Sequence, residues 1–260
     1  MHGVGLPSKQ YFLACTQMTR VIRAFIDQSP QQEGEEVVLP EDEALHLSRV
    51  LRMQRGDRIE AMDGKGGRFS AECLEIERSS GKIRILQIEK AMENSPKVRM
   101  GVALGKANKW EELIRPLTEL GVDRLTPLIT ERTEGSFLPS KIGDKKDRWK
   151  KIAREACKQS GNPWLPIFDH PLSLEEAFSF VPKDEDCWMG SLSAHSTQLS
   201  PSADCKKLFI LIGPEGGWSP QEEANARISG YSFFSLGAYA LRMETAAVSA
   251  LAVARQKMLC

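Results

Sequence analysis

The chain has 260 residues, of which 41% are hydrophobic and 27% charged, a composition typical of a folded protein with one or two domains. Its formal net charge is zero, so it lacks the overall basic excess of many nucleic-acid binders, although a local basic patch remains open. No apolar run approaches the roughly 18 residues that a membrane span requires. The first residues also lack the basic and apolar regions of a signal peptide. These features predict a cytoplasmic protein without a membrane segment.

The six cysteines and four histidines form no metal-binding pattern. No CxxC pair occurs, and the histidines share no metal-ligand spacing. The cysteines therefore predict reduced thiols rather than a disulfide framework, and no metal site is expected.

Residues 18–90 show the sequence pattern expected of a small β-barrel. EEVVL, RIEAM, RFSAECLEI and KIRILQI are short segments with alternating apolar positions, as half-buried strands require. DGKGG is typical of a hairpin turn. One helix is predicted over Glu41–Met53, with Gly56 as its stop. Residues 1–17 are expected to form an N-terminal extension, with a misassigned start of the chain as the alternative.

After a polar boundary segment, residues 98–260 alternate between strands and helices. The predicted strands are VRMGVALG, RLTPLIT, PIF, CWMGSL, KLFILIG and YSFFSLG. The predicted helices are Asn108–Leu120, Lys145–Ser160, one after the Ser173 capping box, Ser219–Ser229 and Met243–Met258. Pro116 is expected to kink or split its helix, and Trp110 and Trp149 are expected on inward helix faces. This alternation predicts an α/β fold with a parallel sheet.

A glycine-rich elbow, GPEGG, joins the strand KLFILI to the helix that starts at Ser219. Its glycines allow the backbone to approach a ligand closely. The elbow lacks the lysine of a phosphate-binding loop, and its spacing alone leaves a plain tight turn open. Gly190 and Leu236-Gly237 also follow predicted strands. Because ligands bind beyond the carboxyl ends of parallel strands, these three loops could together form a small-molecule pocket.

The elbow and the last helix together carry a specific pattern. IGPEGGWSPQEE followed by LGAYALRMETA resembles the RsmE family of 16S rRNA uridine-N3 methyltransferases, whose pattern runs IGPEGG-F-S-x-x-E and then LG-x-x-x-L-R-x-ETA. HLSRVLRMQRGDRIEAMDGKGG, GKANKWEELIRPLTELGVDRLTPLITERT and DRWKKIAREACKQSG are similar to other segments of that family. The chain departs from the family at Tyr239, Ala240 and Met243, where Arg, Ile and Thr are common, and at Asn162, where a QSGR-like run is usual.

The resemblance implies a PUA-like RNA-binding barrel followed by a SPOUT-type methyltransferase domain with a C-terminal trefoil knot. It also implies a homodimer that uses S-adenosylmethionine. The implied substrate is 16S rRNA in the assembled small ribosomal subunit. Two alternatives remain open: ribose 2′-O methylation by the same fold, and an RNA-binding module without turnover.

The resemblance also assigns roles to particular residues. The cofactor would contact Gly190, Ser191, Leu192, Ile212, Gly213, Glu215, Gly217, Leu236, Gly237, Leu241 and Arg242. Arg242 would stabilise the uracil anion, with Glu215 and Glu244 as bases or orienting groups. Alternatively, the two glutamates stabilise helix starts and Arg242 forms an interface salt bridge. RNA phosphates would contact Arg20, Arg23, Arg49, Arg52, Lys106 and Lys109, for which plain solvated charge is the alternative.

Overall fold

The computed structural model describes residues 21–94, 96–105, 107–133, 145–179, 184–193 and 196–258. The chain divides into two compact units. The first comprises residues up to Met62 together with Arg68–Glu89, and the second comprises Asp63–Gly67 and the chain from Lys90 onward. The extension expected at residues 1–17 lies outside the described residues.

A five-stranded sheet forms most of the first unit, in the order β1-β3-β4-β5-β2. Its strands are β1 (Arg23–Phe25), β2 (Glu36–Val38), β3 (Arg58–Met62), β4 (Gly67–Ile76) and β5 (Gly81–Lys90). Along β4, Phe69, Ala71 and Cys73 are buried while the residues between them are partly exposed. This period of two is the signal that predicts the strand from the sequence. The predicted hairpin is confirmed, since β3 and β4 pair antiparallel across the DGKGG turn.

The helix of the first unit is shorter than the sequence predicts. Regular α-helix α1 spans Glu41–Leu45, and a π-helical turn continues it over His46–Val50. The predicted end at Met53 is wrong because the chain turns away at Arg52, which has a φ of 53°. Arg52 thus takes a left-handed conformation before the predicted stop at Gly56, which itself has a φ of 92°. Gly56 instead belongs to the turn before β3, where its N–H donates to a carbonyl of β4.

The second unit is built on a parallel sheet in the order β12-β10-β11-β6-β7-β8, with β9 also paired to β7. The strands are β6 (Lys97–Ala103), β7 (Arg124–Ile129), β8 (Ile167–Phe168), β9 (Leu172–Ser173), β10 (Asp186–Gly190), β11 (Lys207–Ile212) and β12 (Ser232–Phe234). Each of these neighbours pairs in parallel. The predicted parallel α/β fold is therefore confirmed.

Within the described residues, five helices accompany the sheet. They are α2 (Ala107–Glu119), α3 (Lys146–Ser160), α4 (Leu174–Ser179), α5 (Pro220–Ile228) and α6 (Met243–Met258). Pro116 lies inside α2, and the helix runs through it without a split, while the alternative of a kink stays a prediction. Burial of Leu113, Ile114 and Leu117 in the core holds the turns on either side of the proline, and tertiary packing overrides local propensity there.

The core of the second unit contains a pair of tryptophans. Trp110 on α2 and Trp149 on α3 have ring centroids 4.3 Å apart, and Phe168 of β8 lies 5.9 Å from Trp149. Both indoles are almost completely buried. The prediction that they belong to the core rather than to a base-stacking surface is confirmed.

The strand order determines where a site can form. The chain passes from β9 to β10 on the far side of the sheet, and β11 then lies between β10 and β6. As a result β10, β11 and β12 are adjacent and point the same way. The loops that follow them emerge together at one edge of the sheet.

Asn162 departs from the family pattern, and its side chain joins the ends of two helices. Its Nδ2 donates to the Thr118 carbonyl at 2.9 Å near the end of α2, and its Oδ1 accepts from the Trp164 N–H at 3.0 Å. Gly161 ends α3 beside it with a φ of 75°. The amide therefore fixes how the chain leaves α3.

Replacing Asn162 with Ala leaves two backbone groups without their partners. We expect the free energy of unfolding to fall by about 1–2 kcal/mol. All five tryptophans lie in the second unit, so tryptophan fluorescence during urea denaturation reports on that unit. Gln159→Ala, at an exposed position of α3, is the control, expected to change stability by less than about 0.5 kcal/mol. Equal stabilities of the two variants would contradict this role for Asn162.

Candidate active site

A pocket of about 320 Å³ lies at the carboxyl ends of β10, β11 and β12. Its walls are the loops after these strands and the start of α6. Nine of the eleven residues that the sequence assigns to the cofactor line it: Gly190, Ser191, Leu192, Ile212, Gly213, Glu215, Gly217, Leu236 and Leu241. The remaining two do not line it. Gly237 lines a neighbouring hollow, and the Arg242 side chain is exposed.

Ten lining residues were not assigned from the sequence. They are Ser193, Pro214, Trp218, Glu223, Phe234, Ser235, Tyr239, Ala240, Met243 and Ala246. Most of them flank an assigned residue, so wider windows around the three glycine loops would have included them. Tyr239, Ala240 and Met243 depart from the family pattern, and all three face the same pocket. Glu223 lies in the first turn of α5, just after the elbow, so the position of the elbow also brings this side chain to the pocket.

The indole of Trp218 locks two walls of the pocket together. Its Nε1 donates to the Gly190 carbonyl at 2.8 Å, which joins the loop after β11 to the end of β10. A β-carbon on Gly213 would lie 2.9 Å from Cε2 of the same indole. Glycine is therefore required at position 213 for close packing, independently of any ligand.

The start of α5 is held by hydrogen bonds from both sides. Ser219 and Glu222 form the predicted capping box, with the Ser219 N–H donating to Glu222 Oε2 at 2.8 Å. The other carboxylate oxygen accepts from the Glu131 N–H at 2.8 Å. Arg132 donates to the Gly216 carbonyl at 2.6 Å. The loop after β7 thus supports the elbow from outside the pocket.

A second bridge crosses the pocket wall. The Ser191 hydroxyl donates to Glu223 Oε1 at 2.5 Å, so the loop after β10 is tied to α5. The Ser191 N–H donates to the Phe234 carbonyl at 2.9 Å, which ties the same loop to β12. The three loops therefore form one connected wall.

Gly213→Ala tests the packing of the elbow against a matched control in the same loop. The added methyl group overlaps the Trp218 ring, and we expect a loss of about 1–3 kcal/mol in the free energy of unfolding. Gly216→Ala is the control, because its β-carbon would make an ordinary contact, 3.4 Å from Cδ of Arg132. Urea denaturation of both variants decides the point, and the idea fails if Gly216→Ala destabilises as much as Gly213→Ala.

The three predicted catalytic residues have different surroundings. Glu215 and Glu244 both contact Lys109, whose Nζ lies 2.9 Å from Glu215 Oε1 and 3.5 Å from Glu244 Oε1. The hydrogen bond to Glu215 raises the pKa of Lys109, with a smaller contribution from Glu244. Arg242 is exposed, and among the described residues its guanidinium has no hydrogen-bond or ion-pair partner.

The residues predicted to contact RNA also have different surroundings. Arg20 and Lys106 lie outside the described residues. Arg23 is bound to Glu60, with Nε 2.6 Å from Oε1. Arg49 and Arg52 are exposed. Among the described residues of the first unit, these two are the exposed arginines of the predicted set.

Other kinds of chemistry find little support in the part of the chain that the structure describes. Burial raises the pKa of the Cys157 and Cys187 thiols to about 12, so neither is a thiolate nucleophile at neutral pH. Within the described ranges, no group of three or more His, Cys, Asp and Glu side chains could hold a metal ion. In the same ranges, no helix has the length and apolar character to cross a membrane.

The chain matches two protein-family models. Residues 92–255 match an RNA methyltransferase domain, and residues 39–86 match an RNA methyltransferase PUA domain. The chain is also similar in sequence to two relatives named ribosomal RNA small subunit methyltransferase E. The Synechocystis protein is 35% identical over 234 residues, 86% of this chain and 74% of that protein. The Bacillus subtilis protein is 32% identical over 242 residues, 88% and 94% of the two chains.

Solved structures agree with this assignment. A putative methyltransferase from Legionella pneumophila in complex with the bound cofactor SAM has a TM-score of 0.83 and 29% identity, and the match covers 91% of this chain and 98% of that chain. The small subunit methyltransferase E of Neisseria gonorrhoeae bound to S-adenosylmethionine has a TM-score of 0.83 and 26% identity, with 91% and 97% covered.

The fold and the two matched models define an RNA methyltransferase with an N-terminal PUA domain. The chain belongs to the ribosomal RNA small subunit methyltransferase E family, and it is an enzyme of that family. The resemblance found in the elbow and in the last helix is thereby confirmed.

Proposed function

We propose that this protein methylates N3 of a uridine in 16S rRNA of the assembled small ribosomal subunit, with S-adenosylmethionine as methyl donor. The observation that carries the proposal is the pocket at the ends of β10, β11 and β12, lined by nine of the residues assigned to the cofactor. Family membership supports the substrate class, and the Legionella and Neisseria relatives bind this cofactor. The cytoplasm is the compartment that this function implies.

The lining of the pocket suits a ligand that combines an apolar ring with a positive charge. Ile212, Leu236 and Leu241 offer apolar contacts for the faces of an adenine. Among the described residues that line the pocket, the charged ones are Glu215 and Glu223. When bound, the cofactor supplies a methyl group on a cationic sulfonium. Two carboxylates favour that cation electrostatically.

Methyl transfer to uracil N3 requires that N3 loses its proton, and the negative charge then spreads onto the carbonyl oxygens. Arg242 is suited to stabilise this anion, because its exposed guanidinium presents several donors and has no partner among the described residues. Glu215 and Glu244 are less suited as bases, because both carboxylates already contact the Lys109 ammonium. In this proposal Arg242 is the catalytic residue, and Glu215 and Glu244 are orienting groups.

RNA binding requires a cationic surface, and the target base must leave its stack to reach the pocket. Arg49 and Arg52 are the residues of the first unit that we propose for phosphate contacts, because both are exposed. Arg23 is a weaker candidate, since its guanidinium already binds Glu60.

The assembly around the pocket is also part of the proposal. We propose a homodimer, supported by the exposed apolar side chains of Leu192, Tyr239 and Leu241 at the pocket, which a second copy would cover.

We further propose that the chain after β12 forms the trefoil knot of the family. The Thr197 N–H donates to the Phe233 carbonyl and the Ser235 N–H donates to the Thr197 carbonyl, so this segment begins against the chain that joins β10 to β11.

A methyl-transfer assay tests the reaction. Small ribosomal subunits lacking the modification are incubated with labelled S-adenosylmethionine and the protein, and the digested rRNA is analysed by nucleoside mass spectrometry. We expect 3-methyluridine from the wild-type protein. We expect a loss of about 100-fold or more with Arg242→Ala, the size of effect seen when a group that stabilises transition-state charge is removed.

Other outcomes of this assay would replace the proposal. A 2′-O-methylated nucleoside would keep the fold and change the target atom. No product together with normal RNA binding would favour a binding module without turnover. Full activity of Arg242→Ala would remove Arg242 from the mechanism.

Glu223→Gln tests whether the pocket recognises the charge of the cofactor. Glutamine can still accept the hydrogen bond from Ser191, so the change removes mainly the negative charge. We expect the Kd of S-adenosylmethionine to rise roughly five-fold, the equivalent of about 1 kcal/mol of lost charge interaction. The Kd of neutral S-adenosylhomocysteine should change little, as measured by calorimetry. Glu175→Gln, an exposed position that does not line the pocket, is the control, and equal losses for both ligands would contradict charge recognition.

A further inference from the structure

The sequence predicts that Lys109 contacts RNA phosphates, but its surroundings in the structure point to a different role. We propose that Lys109 is a positioning residue that ties the elbow, defined as Gly213–Gly217, to the starts of α2 and α6. The part of the inference that concerns ligand affinity rests on the proposed binding of S-adenosylmethionine in the adjoining pocket.

The ammonium group of Lys109 connects three segments of the chain that are far apart in sequence. Lys109 itself lies in the first turn of α2, Glu215 lies in the elbow, and Glu244 lies in the first turn of α6. The two contacts of its Nζ are 2.9 Å and 3.5 Å long. The side chain of Lys109 is 34% exposed, against 41% for Glu215 and 23% for Glu244. The cluster is therefore partly shielded from water.

The carboxylate of Glu215 lies in a slot that the chain keeps open. A β-carbon on Gly105 would lie 3.3 Å and 3.4 Å from its two oxygens and 3.5 Å from Cε of Met243. Met243 and Glu215 both line the pocket. A change in the position of the Glu215 side chain therefore displaces the wall of the pocket. Because the Lys109 ammonium contacts this carboxylate, Lys109 helps to hold that wall in place.

Glu244 depends on Lys109 for a different reason. Its Oε2 is buried and has no hydrogen-bond partner among the described residues. Its Oε1 faces Lys109. The start of α6 favours a negative charge, but a carboxylate that has lost most of its water also requires a nearby cation. Lys109 supplies that cation while it holds the elbow.

The charge of the cluster argues against a phosphate contact. At neutral pH one lysine and two glutamates carry a net charge of −1, which repels a phosphate. The hydrogen bond to Glu215 and the charge of Glu244 both raise the pKa of Lys109, so the tether remains charged at neutral pH. To bind a phosphate, Lys109 would have to leave two carboxylates for a single anion.

Lys109→Met tests the tether by two independent measurements. Without the ammonium the elbow keeps its binding conformation for a smaller fraction of the time, and the apparent Kd of a ligand rises by the inverse of that fraction. We expect the Kd of S-adenosylmethionine, measured by calorimetry, to rise about five-fold. Hydrogen exchange of the elbow amides, measured without ligand by mass spectrometry, should accelerate by about the same factor. Lys109→Arg keeps the charge, and both values should stay within about two-fold of the wild type.

The salt dependence of RNA binding separates the tether from a phosphate contact. Removing a phosphate contact lowers the slope of log K against log salt concentration by about one, whereas removing a tether leaves the slope unchanged. We expect an unchanged slope for Lys109→Met. Arg49→Met, which removes an exposed cation of the first unit, is the comparison and should lower the slope by about one. A lower slope for Lys109→Met with normal elbow exchange would overturn the inference.

A double variant separates positioning from simple charge balance. Lys109→Met/Glu244→Gln removes the buried charge together with its partner. We expect this variant to regain the thermal stability that Lys109→Met loses. Its elbow amides should still exchange fast, since Glu215 still lacks its tether. Recovery of both would assign Lys109 to charge balance alone and overturn the proposal. If the wild-type protein did not bind S-adenosylmethionine, the proposed function would fail, and the exchange measurement would still decide the role of Lys109.

Discussion

The pocket depends on one packing contact, between the indole of Trp218 and the bare backbone of Gly213. That contact places the indole N–H on the Gly190 carbonyl, so two strand ends are fixed to each other by a single side chain. Ser219 follows directly and starts α5, whose Glu222 then binds the loop after β7. Because these groups are consecutive in the chain, a displaced indole would shift the helix start and both loops together.

Local features of this fold follow from the sequence because local forces determine them. The apolar run of β11 is buried at every position after Lys207, and the capping box of α5 forms as the residues at 219 and 222 predict. Pro116 and Arg52 show the limits of local reasoning. The core around α2 holds a helix through a proline, and the chain after the π-helical turn bends at an arginine before it reaches the expected glycine. In α2, packing in the core outweighs the preference of a single residue.

The candidate site was predicted unevenly, for a physical reason. Glycine-bearing loops after strands predict a pocket, and nine of the residues assigned to the cofactor line it. The partners of charged side chains could not be predicted, since ion pairs join residues far apart in the chain. Arg23 binds Glu60, and Lys109 binds two glutamates more than a hundred positions away. A lysine for which the sequence indicates no partner forms ion pairs once the sheet has formed.

The position of β11 between β10 and β6 has a consequence for how the chain is made. Residue Lys97 of β6 pairs with Lys207 of β11, so the centre of the sheet closes only after most of the protein has been synthesised. Until then β6 has β7 on one side and an unpaired edge on the other. Open strand edges invite pairing with other chains, and sheets built from distant strands fold slowly. The strand order that creates the pocket therefore also exposes the nascent protein to aggregation while its last strands are still missing.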